Sequence, residues 1–238
     1  MATEGLSKAQ QAQYGEVGFT VVPGLFGRAE CADFVAHMMD LHAGRKQLDG
    51  FARREADEWG RTHNQHNYDV RAEALLIEPR LQAPLRDCLG DEPDGIQTMY
   101  FYKGSEQRRH QDQFYLPGCM SAWIALDDAD QDNGALRVQP GSHKGHLLTK
   151  TELETMDGTD YNDAVDRLFA DNGLPEEIVE VKLGDVVFFN GVLIHRGGPI
   201  AAPDSFRHAM ANHYIGHSFT DWPHTGWWRI GFDGSRRH

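Results

Sequence analysis

The texture of the chain after Asp94 restricts its fold most. Six short runs, IQTMYFYK, CMSAWIALDD, ALRVQP, EEIVEVKL, DVVFFN and FRHAMANHYI, are rich in β-branched and aromatic residues and are separated by Gly, Asn, Asp and Pro. Runs of that length read as strands, and many short strands bury their faces by closing into a sandwich or barrel. Upstream, Glu16 to Pro23 carries a further strand signal closed by Pro23 and Gly24. Arg28 to Ala43 spaces Cys31, Phe34, Val35, Met38 and Leu41 by threes and fours, the stripe of an amphipathic helix ended by Gly44. Gln47 to Asp69 is polar and reads as loop with at most a helical turn. Arg71 to Leu89 reads as helix, with interruptions expected at Pro79 and Pro84. Leu147 to Pro175 is a polar, acidic insertion of helical character. The expectation is one domain over residues 1–238, mainly β with flanking helices, since β folds of this kind reach that length as a single unit.

Charge narrows the partners. With 23 Lys+Arg against 36 Asp+Glu the net charge is −13, which argues against nucleic-acid or anionic-membrane binding. An anionic ligand must therefore find a local basic pocket, and a small molecule is the expected partner. Cys31, Cys88 and Cys119 are odd in number and lack zinc or disulfide spacing, so a reducing cytoplasm is expected. Met1 to Gly15 has no apolar run of a signal peptide, and no apolar stretch approaches membrane-spanning length. Oligomeric state is left open.

His110 and Asp112 stand two apart in HQD. In an extended strand, residues i and i+2 project from one face and can reach one ion. Spacing of this kind also arises by chance. His195, at the end of the strand-turn-strand pattern GDVVFFNGVLIH, can bring a second imidazole from a distant part of the chain. Two imidazoles and a carboxylate form the facial triad that binds iron(II) and leaves three positions open. A 2-oxo acid fills two of these and dioxygen the third. The far carboxylate of such a co-substrate needs a fixed cation, and Arg207, twelve residues after His195, offers a bidentate fork. The alternative for Arg207 is a surface position.

The segments MYFYKGSEQRRHQD, AWIALDDADQDNGALRVQPGSHKG and GDVVFFNGVLIHRGG, with Arg207 downstream, resemble the phytanoyl-CoA dioxygenase family of iron(II)- and 2-oxoglutarate-dependent oxygenases. The likeness runs from GFTVVPGLF to Tyr214. It implies a double-stranded β-helix (jelly roll) with helices outside and iron near one open end. It matches His110, Asp112 and His195 to the metal ligands and Arg207 to the co-substrate arginine. Trp123 and Met99 match residues beside the co-substrate, and Gln97, on the strand face of Met99, is a further co-substrate contact able to donate an amide hydrogen bond there; core packing is the alternative for Trp123 and Met99. The implied reaction is hydroxylation of a small molecule with release of succinate and carbon dioxide.

Two departures stand out. Gly197 occupies a position where the family often has serine, and Arg207 lies one residue further along than is typical, with IAAPDS holding the extra residue. Asp112 favours a hydroxylase, because halogenating relatives lack this carboxylate. Desaturation or ring closure is an alternative outcome, as is a metal-binding jelly roll without turnover. His63 and His66 belong to a polar loop able to close over the site. Phe114, Tyr115, His66 and Trp228 are candidates for substrate contact, with an aromatic core the alternative for the ring residues. His143 and His146 read as surface loop, and His213 is unassigned.

Overall fold

The computed structural model describes residues 4–53, 60–201 and 206–238. Two antiparallel sheets form the body. The larger has the order β1-β7-β4-β9-β3-β10-β11, with β2 also paired to β3. Its members are β1 (Phe19–Val22), β2 (Arg61–His63), β3 (Pro93–Phe101), β4 (Met120–Ala125), β7 (Val186–Asn190), β9 (Ala209–Gly216), β10 (Arg229–Gly231) and β11 (Arg236–Arg237). The smaller sheet has the order β6-β5-β8, from β5 (Leu136–Val138), β6 (Glu177–Val179) and β8 (His195–Gly197). This is the expected double-stranded β-helix.

Register makes the larger sheet two-faced. Gln97 and Ser121 both pair with His213, Met99 and Trp123 with Ala211, and Phe101 and Ala125 with Ala209. Because side chains alternate along a strand, these odd-numbered residues share one face. The apolar members of that face pack with Leu136, Val138 and Val179 of the smaller sheet. The even-numbered face, with Tyr100, Ala122, Ile124, Phe188, Met210 and Tyr214, packs on Phe34, Met38 and Leu41 of helix α2 (Arg28–His42), Leu76 of α3 (Val70–Leu76), and Leu81 and Leu85 of α4 (Pro79–Leu89). Each fully buried large side chain there contributes about 1.5–3 kcal/mol. The last turn of α3 is tied to the sheet, Tyr214 Oη donating to the Leu76 carbonyl at 2.7 Å and Asn212 Nδ2 to that of Leu75 at 3.0 Å. A Cβ on Gly95 would stand 2.6 Å from Leu76 Cγ, so only glycine admits α3 this close.

Several local expectations change. A helix precedes the first strand: α1 (Lys8–Val17) is nucleated by a Ser7/Gln10 capping box and closed by Gly18 at φ +88°, so the strand starts at Phe19 instead of Glu16. Pro79 does break the second helical stretch, opening α4 at a position where proline is tolerated. Pro84 does not: it is buried inside α4 beside Leu81 and Leu85, and their packing offsets a cost of about 3 kcal/mol. The stretch Gln47 to Asp69 contains β2 and a 3₁₀ turn (Gln65–Asn67); its residues 54–59 lie outside the described residues, as do 202–205 within IAAPDS. The insertion carries α5 (Lys150–Thr155) and α6 (Tyr161–Asn172), as expected. No helix among the described residues is long and apolar enough to cross a membrane.

Candidate metal centre

His110, Asp112 and His195 come together between the sheets, all buried, with one ligand atom of each within 4.8 Å of the others. Asp112 Oδ1 lies 3.5 Å from Nε2 of both His110 and His195, and the two imidazole centroids are 4.1 Å apart. Backbone pairing fixes the imidazoles: His110 N–H donates to the His195 carbonyl at 3.0 Å and His195 N–H to that of His110 at 3.1 Å. The HQD segment is not a continuous strand, because Asp112 opens a 3₁₀ turn (Asp112–Phe114). Gln111 between the ligands is extended, at φ −121° and ψ 123°, so the two ligands still project together. Gln111 itself is anchored elsewhere, donating from Nε2 to the His146 and Val192 carbonyls at 2.9 Å and accepting at Oε1 from Leu148 N–H at 3.1 Å. The insertion thereby holds the ligand turn in place.

Nδ1 of His110 is 2.8 Å from the Arg108 carbonyl, and Nδ1 of His195 is 2.9 Å from that of Leu193. A carbonyl only accepts, so each Nδ1 carries the proton and each Nε2 presents a lone pair inward. Burial and the neighbouring His195 pull the His110 imidazole down to about 3, leaving it neutral at neutral pH. Burial would raise the Asp112 carboxyl, but His195 and His213 more than offset it and hold it well below the usual carboxylate range. Burial likewise opposes protonation of His195, yet the Asp112 charge prevails and raises it. Ser121 Oγ donates to Asp112 Oδ2 at 2.7 Å, and His213 Nε2 stands 3.4 Å from that oxygen. Two imidazole nitrogens and an ionised carboxylate fit a borderline divalent metal with open positions.

A narrow cavity extends from the triad to Arg207, between Trp123, Met99, Phe101, Leu136 and Phe189. Arg207 is 3% exposed and pairs with no carboxylate among the described residues, and its Nε has no hydrogen-bond partner. Its guanidinium stands 5.1 Å from the Trp123 ring centroid and 5.8 Å from that of Phe101. Burial in this apolar surround pulls its pKa down to about 10. A buried cation without a counter-charge at the end of a cavity fits an anionic ligand. At Gly197, an added Cβ would lie 3.0 Å from Gln107 N and 3.1 Å from Glu106 N, so the backbone of that loop fills the space a serine would need.

A second, larger outer cavity, partly open to solvent, meets the triad from the other side. Gln97, expected beside the co-substrate, lines this outer cavity and not the one that holds Arg207; Tyr115 and His63 line it too, while Met99 lies between the two cavities. The remaining expected contacts sit elsewhere. Phe114 stacks on Tyr161 at 3.9 Å and packs with Leu148 and Ile194, because the 3₁₀ turn after Asp112 directs it into the insertion. His66 is buried with Nδ1 3.1 Å from Thr98 Oγ1, on the even-numbered side of β3, and shares a separate recess with Trp228. Trp228 is 39% exposed and stacks on His238 at 3.8 Å. Sequence reasoning missed Ser121 and His213, although both follow from alternation: His213 lies on the face of Ala209 and Ala211, opposite Ser121. Arg61 and Gln107 gave no signal, lying at a strand start and in a loop.

A double-stranded β-helix holding two imidazoles and a carboxylate at one buried point defines the class: a facial-triad metalloprotein of the jelly-roll type. The chain belongs to the phytanoyl-CoA dioxygenase (PhyH) family, whose model matches residues 14–209. It is 35% identical over 143 residues to phytanoyl-CoA dioxygenase 1 of Oryza sativa subsp. japonica, covering 57% of this chain and 49% of that protein. It is 29% identical over 181 residues to phytanoyl-CoA dioxygenase domain-containing protein 1 of Danio rerio, covering 69% and 60%. The chain thus spans about half to three-fifths of these relatives. Solved structures share the fold: the α-ketoglutarate-dependent carbocyclase SnoK of nogalamycin biosynthesis (TM-score 0.72, 21% identity, 91% of this chain and 86% of that one) and EctD from S. alaskensis with bound Fe (0.71, 22%, 89% and 77%). HygX from Streptomyces hygroscopicus with nickel and 2-oxoglutarate is a third (0.67, 21%, 92% and 90%).

Proposed function

We propose that this chain is one catalytic domain, an iron(II)- and 2-oxoglutarate-dependent oxygenase that hydroxylates an unactivated C–H bond of a small molecule. The observation that carries this reading is Arg207, a buried cation with no carboxylate partner among the described residues, facing the triad across one cavity. Iron(II) held by His110, Asp112 and His195 would supply dioxygen activation coupled to decarboxylation of 2-oxoglutarate to succinate and carbon dioxide.

The protein's part is positioning. Arg207 grips the far carboxylate of 2-oxoglutarate, which orients the 2-oxo acid end toward the triad. Trp123, Phe101 and Phe189 keep water from that ion pair and so strengthen it. Ser121 and the backbone carbonyls of Arg108 and Leu193 fix the ligand orientations. The outer cavity, with Gln97 and Tyr115, receives the substrate. The three cysteines are free, which suits a reducing cytoplasm. The fold neighbours include a carbocyclase and an epimerase of nogalamycin biosynthesis, so ring closure or inversion is the second reading of the same C–H chemistry.

The test incubates purified protein with ferrous iron, ascorbate, 2-oxoglutarate and a panel of small polar molecules, following succinate and product mass. Substrate-stimulated succinate and a gain of one oxygen atom, both lost in His110→Ala, are expected. A product two hydrogens lighter would establish ring closure or desaturation instead. Absence of both 2-oxoglutarate binding and its consumption would overturn the reading.

A further inference from the structure

The outer cavity has a charge pattern opposite to that of the chain. The protein carries a net charge of −13, yet the described residues lining this cavity include Arg61 and Lys150, and Asp112 is their only carboxylate. That carboxylate belongs to the triad. His63 and His224 also face the space, as does His213, whose buried Nδ1 has no hydrogen-bond partner.

The arginines sharpen the point. Among the described residues, every buried or half-buried arginine pairs with a carboxylate, as Arg109 and Arg196 do with Glu176 and Arg229 with Asp94, except Arg207 and Arg61. Both exceptions line cavities that meet at the triad. Arg61 is half-buried, and its position is set: one guanidinium N–H donates to Gln107 Oε1, while Gln107 Nε2 lies 3.0 Å from Nε2 of the ligand His110. The ring of Phe101 is 5.9 Å from its guanidinium carbon. One amide side chain therefore separates this cation from the first ligand. Its loop is braced beneath, where buried Asp69 accepts from Gln65 Nε2 at 2.6 Å and contacts His37 Nε2 at 2.8 Å. Burial pulls the Arg61 guanidinium down while the Asp112 charge opposes that, and among the described residues no carboxylate pairs with it.

We propose that the substrate is a small oxyanion, a carboxylate or a phosphate-type group, that pairs with Arg61 so that the bond to be oxidised lies between this anchor and the triad. This rests on the oxygenase reading and adds to it the class of substrate. Two anions then enter by separate ends: 2-oxoglutarate onto Arg207, the substrate onto Arg61. A planar fork with one N–H committed to Gln107 keeps other donors free for an oxyanion, and Lys150 adds charge at the mouth. The positive field draws such molecules to an otherwise acidic protein.

The test uses protein loaded with cobalt(II) and saturating 2-oxoglutarate, whose binding is first verified by calorimetry. Orthophosphate is titrated while ³¹P relaxation is followed, and propionate while ¹H relaxation is followed, since the paramagnetic ion broadens only ligands held near it. Saturable broadening by at least one probe is expected, the stronger of the two showing which oxyanion the site prefers. Arg61→Gln should weaken it about tenfold or more, as loss of a charge-assisted pair does. Arg61→Lys should retain part of it, and the surface change Lys182→Gln should leave it unaltered. If neither probe saturates, or if Arg61→Gln binds as well as wild type, the inference is overturned. Failure of the initial 2-oxoglutarate step would instead overturn the oxygenase reading.

Discussion

Replacing Arg207 by methionine should move two properties in opposite directions. In the free protein the guanidinium is almost fully buried, pairs with no carboxylate among the described residues, and is pulled down to about 10. A shift of that size corresponds to about 3 kcal/mol of unfavourable burial of the charged form. The sign follows from the depressed value of a base: the cost is present at every pH below the folded value, and so in full at pH 7. Contacts with the Trp123 and Phe101 rings return roughly 1–2 kcal/mol of cation–π attraction, which the substitution forfeits. Methionine keeps much of the volume, so Arg207→Met should stabilise the ligand-free protein by about 1–2 kcal/mol, a rise of roughly 2–8 °C in Tm. Loss of a buried, bidentate charge pair should at the same time cost about 2–4 kcal/mol of 2-oxoglutarate binding, or roughly 30- to 1000-fold. Thermal melts in chelator and calorimetry with metal and 2-oxoglutarate measure the two effects. A lower Tm together with an unchanged dissociation constant would refute the reasoning.

Ser121→Ala should weaken metal binding by about 10- to 100-fold, the usual effect of removing a partner of a ligand, measured by competition with a chelating dye. Gly197→Ser should lower 2-oxoglutarate affinity several-fold instead of supplying a new contact, since its Cβ would press on the backbone of Glu106 and Gln107; calorimetry shows the sign. For Glu176, burial would raise the carboxyl, but Arg196 and Arg109 more than offset it and hold it below its ordinary value. Its stabilising contribution is therefore complete above about pH 4.5 and disappears as pH falls through the lower folded value. Glu176→Gln should lower Tm at pH 7 and narrow the gap between pH 7 and pH 3, and an unchanged gap would contradict this.

The parts of the site that were legible in the sequence are those tied to strand alternation and motif order. The runs after Asp94 announced the sheets because each alternates or is wholly apolar, and all six hold strands in the fold. The triad was legible because its three residues sit in ordered motifs. Helix α1 was not, since none of its residues is buried and it has no apolar stripe; its start is written only in the Ser7/Gln10 capping pair. Pro84 misled because propensity is local, whereas the packing of Leu81 and Leu85 is tertiary. Phe114, His66 and Trp228 illustrate a different limit: an aromatic near a motif in sequence is aimed by the turn that carries it. The turn after Asp112 sends Phe114 into the insertion and leaves Tyr115 at the outer cavity. Arg61 gave no signal because nothing in its neighbourhood of sequence marks a cation that pairs with no carboxylate among the described residues.

The most direct measurement is the visible spectrum of the protein with ferrous iron and 2-oxoglutarate under nitrogen. The account predicts a weak charge-transfer band that requires both additions, is absent in His110→Ala and needs far more 2-oxoglutarate in Arg207→Met. No band in the wild-type protein at any concentration of the two would contradict it and leave a metal-binding jelly roll without turnover.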